Sequence, residues 1–365
     1  MKFLFIEPFF GGSHKDFAEG LTAHSRHAIE LITLPARFWK WRMRGAALHF
    51  SKLLPALSGY DGIVTSSLMS LSDFKMLAGA HCPPVLVYFH ENQLTYPLAP
   101  GESMDLQFGF TDITTGLAAN RILFNSRTHL NVFFSALPGF LKRMPEFRPH
   151  WVTAEIRGKA DMLHPGCHFP AVIPPPAQKK DLPPLIIWNH RWEFDKNPQA
   201  FVDALAAISR KGIDFRLAIL GENFQTVPPA LSEARERFKT QLVQYGYVPS
   251  REAYYDWLRQ GDIVISTAHQ ENFGISIVEA IRHGCLPLLP NRLAYPEILP
   301  KAFHADFLYE DQTALIEKLA SLIAGYHQFR SKRETLMSDM APYAWENRVA
   351  AFDRELTRLA TQSSG

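Results

Sequence analysis

The sequence predicts an α/β fold of two doubly wound domains, and three observations carry that prediction. Short apolar runs, among them Phe3 to Ile6, Val85 to Phe89 and Leu185 to Trp188, read as strands buried on both faces. Helical segments separate these runs, which implies mostly parallel sheets covered by helices on both sides. A proline-rich stretch from Pro174 to Pro184 divides two such series, and 365 residues at 47% hydrophobic content are enough for two cores.

Taken in order, the N-terminal domain is expected over residues 1–176. Lys2 to Ile6 opens it as a strand, followed by a loop at Pro8 to Ser13, a helix from about Lys15 and a strand at Ala28 to Leu34. Ile63 to Thr65, Val85 to Phe89 and Ile122 to Phe124 supply further buried strands. Residues 177–184 form a linker, which its prolines make stiff and extended. The C-terminal domain is expected over 185–342, and the amphipathic run Trp345 to Leu359 makes a last helix within 343–365. No internal repeat or low-complexity tract interrupts this plan.

Composition excludes several classes. The formal net charge of +2 demands no polyanionic partner by itself. Before residue 178, sixteen Lys and Arg face thirteen Asp and Glu, an excess of only three. Cys82, Cys167 and Cys285 are odd in number and far apart, which argues against a disulfide framework and for the reducing cytoplasm. No run reaches the roughly 18 to 20 apolar residues of a membrane span. Phe3 to Ile6 is closed by Glu7, so the start is a strand and not a signal peptide. His164, Cys167 and His168 surround Pro165 and Gly166 and read as a strand end and turn, so no metal site is expected there.

Four residues of the second half carry most of the functional information. Leu185 to Trp188 is a strand, Asn189 to Asp195 the loop after it, and Asn197 with Pro198 an N-cap and first helical turn, the helix running to about Lys211 and stopping at Gly212. Arg191 and Lys196 therefore sit where doubly wound sheets bind phosphates. Ile263 to Ser266 is a second strand, His269 to Gly274 its loop, and Ile275 to His283 a helix ending near Gly284. Glu271 and Glu279 fall in that loop and about one turn into that helix. Two cations for a diphosphate and two carboxylates for hydroxyl pairs describe a socket for a nucleoside diphosphate sugar. Each pair alone is common, since loop cations are usually just solvated; the joint order is what carries the reading.

Gly246 to Ser250, Gly261 to Ser266, Glu271 to Ala280 and Gly284 to Pro287 together resemble the C-terminal half of the retaining glycosyltransferases with the GT-B fold. The resemblance implies two Rossmann-like domains facing across a cleft, with the last helix crossing back to the first domain. It places Glu279 on the ribose, Glu271 on the donor sugar, and Arg191 and Lys196 on the diphosphate. Val248, Asn272, Phe273, Gly274, Ile275 and Ser276 complete the donor side, Gly274 through its permissive backbone and the residues after it through free helix-start amides.

In the first domain, Gly12 sits within Gly11 to Ser13 between a strand and a helix, so its amide can meet the donor phosphates. A tight turn needing no side chain explains the same glycines. His90 follows the strand ending at Phe89, and the resemblance gives it a role at the donor sugar; read alone, a satisfied structural histidine is the better reading. Asn125 and Ser126 lie at another strand end. From Arg37 to Arg44 four cations, Arg37, Lys40, Arg42 and Arg44, interleave with Phe38, Trp39 and Trp41. That composition suits a nucleic acid, with Arg37, Lys40 and Arg44 on one helix face and Lys142, Arg143, Arg148, Arg157 and Lys159 extending the track. The opposing reading is an amphipathic segment with its aromatics packed inward.

Ile6 to Lys15, Leu34 to Ser51, Phe89 to Tyr96 and Asn189 to Pro198 are similar to the tRNA-queuosine mannosyltransferase group, across nearly the whole chain. This implies GDP-mannose as donor and queuosine at the wobble position of tRNA for aspartate as acceptor, with retention, no cofactor and no membrane partner. The residues themselves leave other readings open: a transferase for a glycan or small molecule, a nucleotide-sugar epimerase of similar architecture, or a non-catalytic tRNA-binding module.

Overall fold

The computed structural model describes residues 1–54, 56–99, 101–174, 182–222 and 227–361. Two compact units divide the chain: Met1–His168 with Tyr343–Gly365, and Phe169–Pro342. Residues 177–181 of the expected linker lie outside the described residues, as does the end of the last segment, 362–365.

The first unit is built on six parallel strands: β1 (Lys2–Phe10), β2 (Ala28–Pro35), β3 (Gly62–Ser66), β4 (Val85–Phe89), β5 (Arg121–Phe124) and β6 (Ala160–Met162), in the order β2-β1-β3-β4-β5-β6. Alternation along the strands divides the core in two. Leu4, Ile6, Ile63, Val87 and Phe124 pack on one face with Phe50, Phe74 and Phe133. Phe3, Phe5, Val64, Tyr88 and Leu123 pack on the other with Phe17 and with Trp345, Phe352 and Leu356 of the helix Trp345–Thr361. A Cβ at Gly20 or Gly166 would run into the Trp345 ring, so both glycines make room for that helix.

Two local expectations change. The strand β1 continues past Pro8 to Phe10, which pairs with Pro35 across a register shift, and the helix Gly12–His24 starts earlier than Lys15. An apolar Phe9-Phe10 pair sustains the strand, and Gly12 at φ +51° supplies the turn.

The second unit holds β7 (Leu185–Trp188), β8 (Arg216–Leu220), β9 (Leu242–Gly246), β10 (Ile263–Ile265), β11 (Leu286–Pro290) and β12 (Leu308–Tyr309), parallel and in the order β12-β11-β10-β7-β8-β9. The chain leaves β7 toward β8 on one side, and β10 lies on the other. The gap between the C-terminal ends of β7 and β10 is thus the switch point of this sheet, where such folds bind ligands. The first unit has the corresponding point between β1 and β3.

Candidate functional site

The loops after β7 and β10 bring Lys196 and Glu271 together. Asn197, itself at φ +49°, accepts from the Ala200 amide and starts the helix Pro198–Arg210, which fixes Lys196 just ahead of it. The Lys196 ammonium is buried, donates to the Gln270 carbonyl at 2.7 Å, and lies 3.4 Å from Glu271 Oε2 and 3.2 Å from Asp195 Oδ2. Burial alone would depress the lysine pKa, but Glu271 and Asp195 outweigh it and hold the pKa above its ordinary value. Lys196 is therefore a cation fixed in place before any ligand arrives. Arg191 is different: its side chain is 47% exposed and pairs with Glu193 at 3.3 Å, whereas that of Lys196 is 9% exposed.

Glu279 is buried, and each oxygen has a tyrosine partner. Tyr254 Oη donates to Oε2 at 3.3 Å and Tyr255 Oη to Oε1 at 3.4 Å. Asn189 Nδ2 donates to Tyr254 Oη at 2.9 Å and to the Ser276 carbonyl at 2.8 Å, which ties β7 to the helix Ile275–Arg282. The His283 ring stacks on Tyr255 at 4.4 Å. Burial and the Glu279 charge push the Tyr254 phenol well up, so it stays a donor. Gly274 at φ +100° begins the helix; Ile277 and Val278 donate to its carbonyl, so the Ile275 and Ser276 amides lie ahead of the helical ladder as anion donors. Asn272 accepts from Gln270 Nε2 at 2.9 Å, Phe273 is buried, and half-buried Val248 follows β9 just before the Ser250 cap.

In the first unit, Gly12 opens the helix after β1, and His90 follows β4. The His90 ring lies 4.1 Å from that of His14, whose nitrogens reach Glu7 Oε1 at 3.2 Å and Glu91 Oε2 at 3.3 Å. Burial, then His14 and His129, push the His90 pKa well down, so it is neutral. Glu7, His14 and His90 offer donor atoms within 4.8 Å of one another, spacing that a metal ion would accept. Glu7 Oε1 also accepts from the Phe9 amide at 2.8 Å and from Ser66 Oγ at 2.9 Å, while Glu7 Oε2 has no hydrogen-bond partner among the described residues. His168 Nε2 meets the Asp16 carbonyl at 3.1 Å, and the Cys167 backbone pairs with Tyr343 and Trp345, tying down the start of the last helix.

The basic aromatic segment resolves into two kinds of residue. Arg37 does not share a helix face with Lys40 and Arg44, because Phe38 at φ +56° breaks the chain and the helix runs Trp39–Leu53. Met43, Ala46, Ala47 and Phe50 pack inward, while Phe38 and Trp41 stand 69% and 76% exposed. Lys40 lies 3.8 Å from Glu102, and Arg44 donates to Gln107 at 3.2 Å. Arg42 turns back onto the Pro35 carbonyl at 3.2 Å and is structural. Beyond it, Arg143 meets Met104 Sδ at 3.0 Å, close in sequence to Gln107, so the cations of the two segments flank one stretch of chain. Lys159 and Arg157 leave the track, the first donating to the Leu117 carbonyl at 2.6 Å and the second lying over the Phe134 ring at 4.7 Å.

Sequence reasoning missed Asn189, Tyr254, Tyr255, Asp195 and the Glu7–His14–Glu91 cluster. Ser250 as an N-cap was the available signal for the two tyrosines, since it sets them one turn into the helix Arg251–Gln260. Nothing in the sequence pairs Glu7 with His14 and Glu91.

Comparison with known proteins gives these sites a context. Residues 2–167 match the tRNA-queuosine alpha-mannosyltransferase N-terminal family, and residues 172–336 match glycosyl transferases group 1. A Drosophila melanogaster tRNA-queuosine alpha-mannosyltransferase is 38% identical over 342 residues, 91% of this chain and 89% of that one. A Xanthomonas campestris GDP-mannose:cellobiosyl-diphosphopolyprenol alpha-mannosyltransferase is 24% identical over 170 residues, 46% of this chain and 45% of that one. Among solved structures, the sucrose-phosphate synthase of Thermosynechococcus elongatus superposes with a TM-score of 0.77 at 14% identity, covering 99% of this chain and 100% of that chain. The Anabaena protein HepE in complex with UDP follows with a TM-score of 0.66 at 13% identity, over 100% of both chains. These structures share the GT-B fold with this chain; no helix among the described residues is long and apolar enough to cross a membrane. Both domain families in order, and 38% identity along most of both chains, mean that this protein belongs to the tRNA-queuosine alpha-mannosyltransferase family of GT-B glycosyltransferases.

Proposed function

We propose that the protein transfers mannose from GDP-mannose, with retention of configuration, onto queuosine at the wobble position of tRNA for aspartate in the cytoplasm. The observation that carries this reading is the Arg191, Lys196, Glu271 and Glu279 constellation at the switch point of the second unit, in a chain related over most of its length to a queuosine mannosyltransferase.

In this reading Glu279 accepts the ribose hydroxyls, with Tyr254 and Tyr255 holding its carboxylate in register. Lys196, Arg191 and the Ile275 and Ser276 amides take up the charge that grows on the diphosphate as the glycosidic bond breaks. Glu271 holds donor sugar hydroxyls. The departing phosphate oxygen takes the proton of the attacking acceptor hydroxyl, so the protein supplies no separate base and the side-chain cations do the work a metal does elsewhere. Guanine is favoured over uracil, and mannose over other hexoses, by the relatives' donors alone.

The tRNA reaches the first unit through Lys40, Arg44 and Arg37 on phosphates, with Phe38 and Trp41 free to stack on unpaired bases. The test is nucleoside diphosphate release from a panel of nucleotide sugars, with tRNA that carries or lacks queuosine. GDP release from GDP-mannose that requires queuosine is the expected result. Release that is indifferent to tRNA would return the reading to a glycan or small-molecule acceptor.

A further inference from the structure

Two phenylalanines of the first unit share an arrangement that packing does not explain. Phe38 at φ +56° and Phe147 at φ +47° both adopt the left-handed backbone region that residues other than glycine avoid, and a bulky side chain is strained there. Both rings also stay in water, 69% and 86% exposed, so burial returns nothing for that strain. Strain kept at an exposed aromatic points to a role other than holding the fold. Phe38 belongs to the segment that carries Lys40 and Arg44, and Phe147 to a second basic stretch.

Residues 142–151 repeat the chemistry of the first segment. Lys142, Arg143 and Arg148 outnumber a single carboxylate, Glu146, and all of these side chains are exposed. Trp151 adds a second ring, 62% exposed, at the start of the helix Trp151–Gly158. The loop is held from both ends: Met144 packs on the core, Val152 lies within it, and Arg148 Nε donates to the Met144 carbonyl at 2.9 Å. Pro145 and Pro149 stiffen the backbone between them, so the rings are displayed with little entropy left to lose on binding.

Both stretches flank the helix Leu106–Ala118. On one side of it the Trp39 ring meets Phe108 at 5.2 Å, and Arg44 donates to Gln107 at 3.2 Å. On the other, Phe110 meets Phe140 at 5.1 Å, just ahead of Lys142, and Arg143 donates to Met104 Sδ at 3.0 Å. Cations interleaved with exposed rings suit a single-stranded nucleic acid, phosphates on the one and bases on the other. We propose that Phe147 and Trp151, with Lys142, Arg143 and Arg148, form a second stacking platform for unpaired nucleotides of the same RNA that Phe38 and Trp41 engage. This rests on the reading of tRNA as the acceptor.

Filter binding of queuosine-containing bulk tRNA to the full-length protein tests this. Phe147→Asn removes the ring and supplies a residue that tolerates the left-handed region, so urea unfolding should show a midpoint no lower than the parent's. Its tRNA affinity should fall about tenfold with the salt dependence unchanged, and Trp151→Ala, the second ring variant, should do the same. Lys142→Ala should instead lower the slope of log affinity against log salt by roughly 0.7, the loss of one phosphate contact on a single strand. Phe147→Asn combined with Trp41→Ala should multiply the two single losses, as contacts to one RNA do. Parental affinity in either ring variant, or a double variant no weaker than Trp41→Ala alone, overturns the platform and leaves the tRNA reading standing. A parent that binds no tRNA overturns both. A concentration-dependent dimer lost in Phe147→Asn, with tRNA affinity unmoved, also overturns the platform and gives the face to a second copy of the chain.

Discussion

Lys196 and Glu271 are 75 residues apart in the chain and 3.4 Å apart in space, each at the end of a neighbouring strand. The pair sets the cation of the donor site before the donor binds. Asp195 behind it is fully buried, so Lys196 also neutralises a carboxylate that no other cation of the described residues is seen to pair. Binding and folding thus draw on one side chain.

Lys196→Ala should accordingly cost both activity and stability. Removing one partner of a buried pair leaves an uncompensated charge, and the expected loss is roughly 3 kcal/mol by urea unfolding. A variant with parental stability would show that Asp195 is not held by this lysine.

Arg191→Ala should separate the two effects. Its half-exposed guanidinium holds little of the fold, so stability should stay within about 0.5 kcal/mol while kcat falls on the order of 100-fold. Unchanged turnover in steady-state assays would remove Arg191 from the diphosphate site.

The Glu279 network predicts a binding defect rather than a folding one. Glu279→Gln keeps the volume between Tyr254 and Tyr255 but loses the charge that two ribose hydroxyls would meet. GDP affinity by calorimetry should fall about tenfold, or ~1.4 kcal/mol. Equal affinity for parent and variant would put the ribose elsewhere.

Much of this was legible in the chain, and the reasons differ by element. Val85–Phe89 and Leu185–Trp188 are apolar throughout and can only be buried strands. Arg191, Lys196, Glu271 and Glu279 announce themselves by lying after strands and beside helix starts. The three-residue β6 and two-residue β12 leave too short a signal to read. Arg37 was misplaced because nothing in the composition marks the left-handed turn at Phe38. The grip on His14 joins residues 77 positions apart and exists only once β1 and β4 share a sheet.

The exposed Phe38 and Trp41 make the acceptor surface testable apart from catalysis. Lys40→Ala with Arg44→Ala should reduce the slope of log affinity for tRNA against log salt by roughly 1.5, the loss of two phosphate contacts. Trp41→Ala should weaken binding by about 1–3 kcal/mol with the slope unchanged. Donor hydrolysis should not move in either variant. Filter binding across a salt series reads all three.

The buried histidines set a pH optimum for stability. His14, raised to about 10, binds its proton more tightly folded than unfolded, so its contribution is full below about 6.5 and is lost as pH rises through about 10. His129 and His190, both pushed to about 3 chiefly by burial, bind protons more weakly folded, so stability is also lost as pH falls from about 6.5 toward 3. Unfolding free energy should peak near pH 6.5, and His14→Gln should flatten the alkaline limb alone. A limb unchanged in that variant would assign the loss to other groups.

Nucleoside mass spectrometry tests the central claim most directly. Bulk tRNA carrying queuosine is incubated with the purified protein and GDP-mannose, then digested and its nucleosides weighed. The account predicts queuosine heavier by one hexose, from the aspartate tRNA, and none with Lys196→Ala. Queuosine of unchanged mass, with GDP-mannose consumed or still bound, would contradict the proposed acceptor.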